Sequence, residues 1–227
     1  MNGSTQGKIS RYGIGGLRIA AQVAPFVQLV LFLLLARWVR RHPISATDVR
    51  ITHAFQRQRA AWVRTTVGIL TYVCGSPPIF RTAATLIALV LWKMQLRLEA
   101  YLTLAITLSS ALLKNGLQQA INRPRPSPLL VEVHQKSKGK SFPSGHVTTA
   151  LTFWGWFMAL AAIRLKKKNR WQKLLLGSPA LLIGLTGPTR IYLGDHWASD
   201  VLGGYLFGGA WLGIFVQLYK RLRLREK

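Results

Sequence analysis

Two histidines, a carboxylate and several arginines at short, fixed offsets carry the chemistry of this 227-residue sequence. His196 is preceded by Thr189-Arg190 and followed four residues later by Asp200; His146 closes the string Pro143-Ser144-Gly145-His146; Asn122-Arg123-Pro124-Arg125-Pro126 lies upstream. A neutral imidazole is a nucleophile, and its unperturbed pKa of about 6.5 keeps that form available near neutral pH. If His196 and Asp200 share the first turn of a helix, the carboxylate can accept the ring N–H, fix the tautomer and support the positive charge of attack. His146, delivered from a different loop, can protonate a leaving oxygen and then activate water. Arginine forks match the oxygens of a tetrahedral anion, which makes Arg123, Arg125 and Arg190 candidate ligands. Ser144 and Gly145 immediately precede the apolar run Val147 to Ile163, so Ser144 can cap a helix whose free N–H groups face the same anion. These parts together point to phosphoryl transfer.

The elements that must position them are apolar. Half of the residues are hydrophobic, which places the chain among membrane proteins rather than water-soluble domains. A helix needs about 20 mostly apolar residues to cross the hydrocarbon core. Ile19 to Ala36, Ile79 to Lys93, Leu96 to Ile121, Val147 to Ile163, Leu174 to Thr189 and Val201 to Tyr219 give six spans. Lys114 reads as a flank that snorkels to the interface. The stretch Ile51 to Ser76, interrupted by His53, Arg57, Arg59 and Arg64, reads as one interfacial amphipathic helix that Pro77-Pro78 ends or kinks. A seven-span alternative has Thr65 to Phe80 crossing as well. On this reading, residues 1–77 form an anchor span plus the interfacial segment, and residues 78–227 form the core.

Topology follows from counting. The loops Asn122 to Pro143 and Gly187 to Ser199 are two spans apart and face one side, while the basic loop Arg164 to Lys173 and the tail Lys220 to Lys227 face the other. The positive-inside rule makes those basic segments cytoplasmic, so the site is expected outside the cytoplasm. Arg37, Arg40 and Arg41 oppose that rule if there are six spans. Lys and Arg total 31 against six acids; because the cations flank apolar runs, they suit anionic lipid rather than nucleic acid. The single Cys74 excludes an intrachain disulfide and reads as an apolar space-filler. The six scattered acids offer no obvious carboxylate cluster, so neither a metal nor a cofactor is expected.

The three polar segments closely resemble the signature of the type 2 phosphatidic acid phosphatase superfamily: Lys, six residues, Arg-Pro; then Pro-Ser-Gly-His; then Ser-Arg, five residues, His, three residues, Asp. Arg125-Pro126, Pro143 to His146, Arg190, His196 and Asp200 fall in place and in order. The family lysine falls at Gln118, and the serine before Arg190 is Thr189. The resemblance implies His196 as the phosphohistidine-forming nucleophile, Asp200 as its orienter and His146 as general acid. It also implies Arg125, Ser144, Gly145 and Arg190 as phosphate ligands, with Gln118 at the position of the lost cation and Lys114 or Arg123 as its substitute.

The expectation is therefore an all-α polytopic membrane bundle, of the fold shared with vanadium chloroperoxidase and acid phosphatases. It hydrolyses a lipid phosphate or diphosphate such as phosphatidic acid, phosphatidylglycerol phosphate or, favoured by analogy, a polyprenyl diphosphate carrier. The rivals are a vanadate-holding haloperoxidase and a catalytically silent lipid-phosphate-binding protein.

Overall fold

Apolar runs punctuated by Pro, Gly and charged pairs fold into eight helices: α1 (Gly3–Arg41), α2 (Ala46–Gln56), α3 (Ala61–Cys74), α4 (Pro77–Lys93), α5 (Arg97–Ile121), α6 (Gly145–Arg164), α7 (Arg170–Tyr192) and α8 (Ala198–Arg225). The computed structural model describes residues 3–74, 77–135, 137–164 and 170–225, and among these there is no strand. The side chain of Cys74 and the Lys166 to Lys168 run lie outside the described residues.

Six helices run alternately toward and away from one end of the bundle. At that end, α1 leads to Pro43, whose carbonyl accepts from Arg123 Nε at 2.9 Å, two residues beyond α5. α6 and α8 start there, and α7 finishes there. At the far end Glu99, at the start of α5, accepts from Tyr219 of α8 at 2.6 Å and pairs with Arg164 of α6 at 3.1 Å. Among the described residues, three segments suffice by length and apolarity to cross a membrane: Ile19–Arg41, Gly145–Arg164 and Ala198–Arg225. α4 is 17 residues long, and α5 and α7 interleave Ser, Thr, Gln or Pro with their apolar positions. Leu33, Leu86, Leu112 and Leu181 point outward, a surface suited to acyl chains rather than water.

The segment 51–76 departs from expectation. It is two helices, broken at residues 57–60. Ser45 caps α2 by accepting from Thr47 N. At the other end of α2, Gln56 turns inward and donates to the carbonyls of Glu132 (2.6 Å) and Tyr192 (3.0 Å). Arg59 then pairs with Glu132 at 3.0 Å. These tertiary ties fold the polar run over the end of the bundle. Pro77 opens α4, where its missing N–H costs nothing.

Apolar clusters join the long helices along their length. Ile106, Trp156 and Tyr219 pack α5, α6 and α8 together, and Phe32, Phe142 and Phe207 pack α1 and α8 onto the loop before α6. The glycines of α8 provide the close packing their spacing suggests. A Cβ at Gly203 would stand 2.5 Å from the Phe142 ring, one at Gly204 3.0 Å from Ser144 O, and one at Gly209 2.9 Å from the Gln28 amide.

Gly203→Ala should therefore cost about 1–3 kcal/mol through overpacking. Gly68→Ala, which meets nothing within 4 Å, should be neutral or stabilising. Melting temperatures of the two variants in one detergent compare these costs directly.

Candidate active site

The site is built around a buried carboxylate at the start of α8. Asp200 Oδ2 accepts from the backbone N–H of Trp197 at 2.8 Å, the N3 to N-cap half of a capping box. His196 thus lies in the turn before α8 rather than on its first turn, yet its Nδ1 still comes 3.5 Å from Asp200 Oδ2. Ser141 Oγ also donates to Asp200 Oδ2. Asp200 Oδ1 accepts from Arg123 Nη1 at 2.6 Å. Arg123 Nη2 reaches Asp48 of α2 at 2.7 Å. Asp48 in turn accepts from Ser199 N (2.9 Å) and Ser199 Oγ (2.7 Å), satisfying a free N–H of the first turn of α8. With Arg123 and Asp200 side chains 0% exposed, this is a fully desolvated carboxylate–guanidinium–carboxylate relay.

Arg123 is therefore not placed among the anion ligands expected from its sequence position. Its guanidinium is committed to Asp48, Asp200, Ser199 and the Pro43 carbonyl, and it lies over the Trp197 ring. Two buried carboxylates hold it more strongly than a transient ligand could.

His196 Nε2 faces the opposite way, 3.3 Å from Arg125 Nη1. A guanidinium has only protons to offer, so Nε2 must present its lone pair and Nδ1, beside Asp200, must carry the proton. That is the tautomer a nucleophilic Nε2 requires. His146 closes on the same space, with ring centroids 6.2 Å apart. Asp195 Oδ2 lies between the rings, 3.8 Å from His196 Nε2, 3.7 Å from His146 Nδ1 and 4.0 Å from Arg190 Nη1. Its other oxygen accepts from Arg125 at 2.8 Å. Burial alone would raise the Asp195 pKa, but its interactions with neighbouring His196 and Arg125 outweigh it and hold the carboxyl below its ordinary range. Arg190, on the last turn of α7 rather than in a loop, donates to Thr71 Oγ1 at 2.7 Å and to Gln135 Oε1 at 3.3 Å.

Backbone geometry aims this turn. Gly194 has a φ of +62°, and a Cβ there would collide with the Glu132 carbonyl. Asp195 N and His196 N both donate to Arg190 O, at 3.1 and 3.3 Å.

At the start of α6, Ser144 is wholly buried and its hydroxyl has no hydrogen-bond partner. It does not bond into the helix it was expected to cap. A buried hydroxyl without a partner at a helix N-terminus suits a tetrahedral oxyanion. Lys114, read from sequence as a snorkelling flank, instead lies beside this helix start; a Cβ on Gly145 would stand 3.4 Å from its ammonium. Gln118 holds the Pro143 carbonyl through Nε2 (3.0 Å) and faces Lys114 through Oε1 (3.5 Å). One turn of helix thus separates the position of the lost family lysine from an ammonium at the same site.

His146, Asp195 and His196 could also offer a metal three ligand atoms within 4.8 Å of one another. Arg125 and Arg190 flank that carboxylate, however, and a cage with two guanidinium groups favours an anion over a cation.

Residues 99–224 match the sequence profile of the PAP2 superfamily. The chain belongs to the PAP2 superfamily. It is 28% identical over 189 residues to phosphatidylglycerophosphatase B of Bacillus subtilis (strain 168), covering 81% of this chain and 89% of that protein. It is 32% identical over 126 residues to lipid A 1-phosphatase of Rhizobium johnstonii, covering 52% of this chain and 46% of that one. The crystal structure of a transmembrane PAP2-type phosphatidylglycerolphosphate phosphatase from Bacillus subtilis superposes with a TM-score of 0.73 at 23% identity, covering 90% of this chain and 98% of that one. The all-helical PAP2 fold is thus common to both.

The structure adds residues to this PAP2 site that the motif does not contain. Asp195 and Asp48 carried one signal, scarcity: in a chain with 31 cations, each of six acids has strong local reason to persist. Thr71 and Gln135, which hold Arg190, had none.

Two outcomes follow. Arg123→Met should lower stability by about 3–5 kcal/mol, because it leaves two carboxylates buried without their cation; thermal unfolding in detergent measures it. Asp195→Asn should tighten inhibition by inorganic phosphate about tenfold, since it removes a like charge from the cage while keeping an oxygen for Arg125. Equal inhibition constants for wild type and Asp195→Asn would show that the carboxylate does not oppose the ligand.

Proposed function

We propose that this PAP2 phosphatase hydrolyses a lipid phosphate or diphosphate through a phosphohistidine formed at His196 Nε2. The observation that carries the reading is the convergence of both imidazoles on one space, with His196 backed by Asp200 and the space walled by Arg125, Arg190 and the unpartnered Ser144 hydroxyl. The terminal phosphate would take its oxygens to those arginines, to Ser144 and to the backbone N–H groups at the start of α6, with Lys114 nearby. Nε2 attacks phosphorus as the phosphorus–oxygen bond to the lipid breaks, and His146 gives the departing oxygen a proton. The proton on Nδ1 stays beside Asp200, which supports the imidazolium-like charge. Water then attacks the phosphohistidine as His146 accepts a proton from it, the nitrogen–phosphorus bond breaks, and inorganic phosphate leaves. Arg123 acts at one remove by holding Asp200 in place.

Six spans with the site at the extracytoplasmic surface suit the alternating helices. α6 and α8 leave the site end, and α8 finishes in the basic Lys220 to Arg225 segment, which the positive-inside rule assigns to the cytoplasm. A site at the bundle end lets a lipid keep its tail in the bilayer while its headgroup enters the cage. Phosphatidylglycerol phosphate is the substrate suggested by the name of the Bacillus phosphatidylglycerophosphatase relative. A polyprenyl diphosphate presents the same terminal phosphate.

Phosphate release from phosphatidic acid, phosphatidylglycerol phosphate and undecaprenyl diphosphate, in a chelating buffer, tests the reading. His196→Ala should lower turnover on the order of 10⁴-fold on every substrate that the wild type cleaves. Turnover that survives in that variant would remove the mechanism.

A further inference from the structure

Between α1 and α5, toward the site end, lies a groove of about 550 Å³. Its floor is apolar, formed by Phe32, Leu33 and Ala36 on one side and Leu117 and Ile121 on the other. Its rim is Arg37, Arg40 and Arg41, on the last turns of α1.

These three cations lack a protein counter-charge. They are exposed, and every carboxylate among the described residues is engaged elsewhere: Asp48 and Asp200 with Arg123, Glu99 with Arg164, Glu132 with Arg59, and Asp195 with Arg125. Positions 37, 40 and 41 are spaced to share a helix face, where like charges repel. The negative end of the α1 dipole offsets only part of that repulsion. The cluster also lies at the wrong end for the usual bias: the Pro43 carbonyl, two residues past Arg41, bonds Arg123 in the site, whereas the basic end of α8 is at the opposite end of the bundle. Arginines in the leaflet where they are ordinarily depleted need a local anion.

An apolar groove edged by three guanidinium groups with no counter-charge among the described residues matches an acyl chain joined to a phosphate. We propose that the α1–α5 groove binds an intact anionic phospholipid, separately from the catalytic cage. One chain lies on Leu33, Ala36, Leu117 and Ile121, and the phosphodiester sits on Arg37, Arg40 and Arg41. A phosphodiester lipid has no terminal phosphate to lose, so this occupant is a ligand and not a substrate. It also braces the end of α1, from which Pro43 steadies Arg123.

Native mass spectrometry of the full-length His196→Ala protein in detergent, titrated with dioleoyl phosphatidylglycerol or dioleoyl phosphatidylcholine, tests this without reference to turnover. One phosphatidylglycerol should bind at least about tenfold more tightly than phosphatidylcholine. Adding Arg37→Gln, Arg40→Gln and Arg41→Gln together should abolish that preference, and Ala36→Trp, which fills the trough and keeps the charges, should weaken phosphatidylglycerol binding. Unchanged preference in the triple variant would overturn the proposal, as would displacement of the lipid by equimolar glycerol phosphate, which would make the site one for a bare anion. If the triple variant does not fold, Ala36→Trp decides: wild-type binding of phosphatidylglycerol by that protein rejects the groove.

Discussion

A guanidinium held between two buried carboxylates is the constraint on which the catalytic end depends. Arg123 carries one positive charge against the two negative charges of Asp48 and Asp200, and all three are buried. The triad is tolerable only because nearly every remaining lone pair and proton is used: by Ser141, Ser199, the Trp197 and Ser199 N–H groups and the Pro43 carbonyl. Such completeness fixes the Asp200 oxygens, and they in turn fix the imidazole tautomer. The residual negative charge is useful, since it lies behind the ring that must become positive.

The cage in front of that ring has the opposite character. Arg125 and Arg190 flank a single internal carboxylate, Asp195, which also lies near both imidazoles and neutralises part of the guanidinium charge. A cluster of cations in a partly closed site would otherwise repel itself, so one acid keeps the empty site assembled. The same acid competes with an incoming phosphate for the arginines, which sets a compromise between a stable empty site and tight product binding.

Much of this was legible in the sequence, and the reasons are local. Pro143 to His146 and Arg190 to Asp200 bring their own turns and helix starts, so residue spacing encodes geometry. Arg123 and Arg125 show the limit: two arginines with Pro neighbours in one loop have identical local chemistry, and only the far partners Asp48 and Asp195 separate the buried strut from the arginine beside the two histidines. Lys114 illustrates a similar limit, because a charge near a helix end reads as an interface flank unless the helix beside it is known. The break at residues 57–60 depends on Gln56 finding carbonyls 76 and 136 positions away, which no periodicity records.

Asp48 has a wider consequence. It lies outside the stretch matched by the family profile, yet it caps the first turn of α8 across 151 positions of chain. During synthesis the N-terminal segment is in the bilayer long before its counterpart emerges, so an acid waits for the arginine and the helix start that will neutralise it. The Asp200 carboxylate beside His196 can therefore be locked by Arg123 and Asp48 only when the last helix is in place, so completion of the bundle and organisation of the site become a single late event.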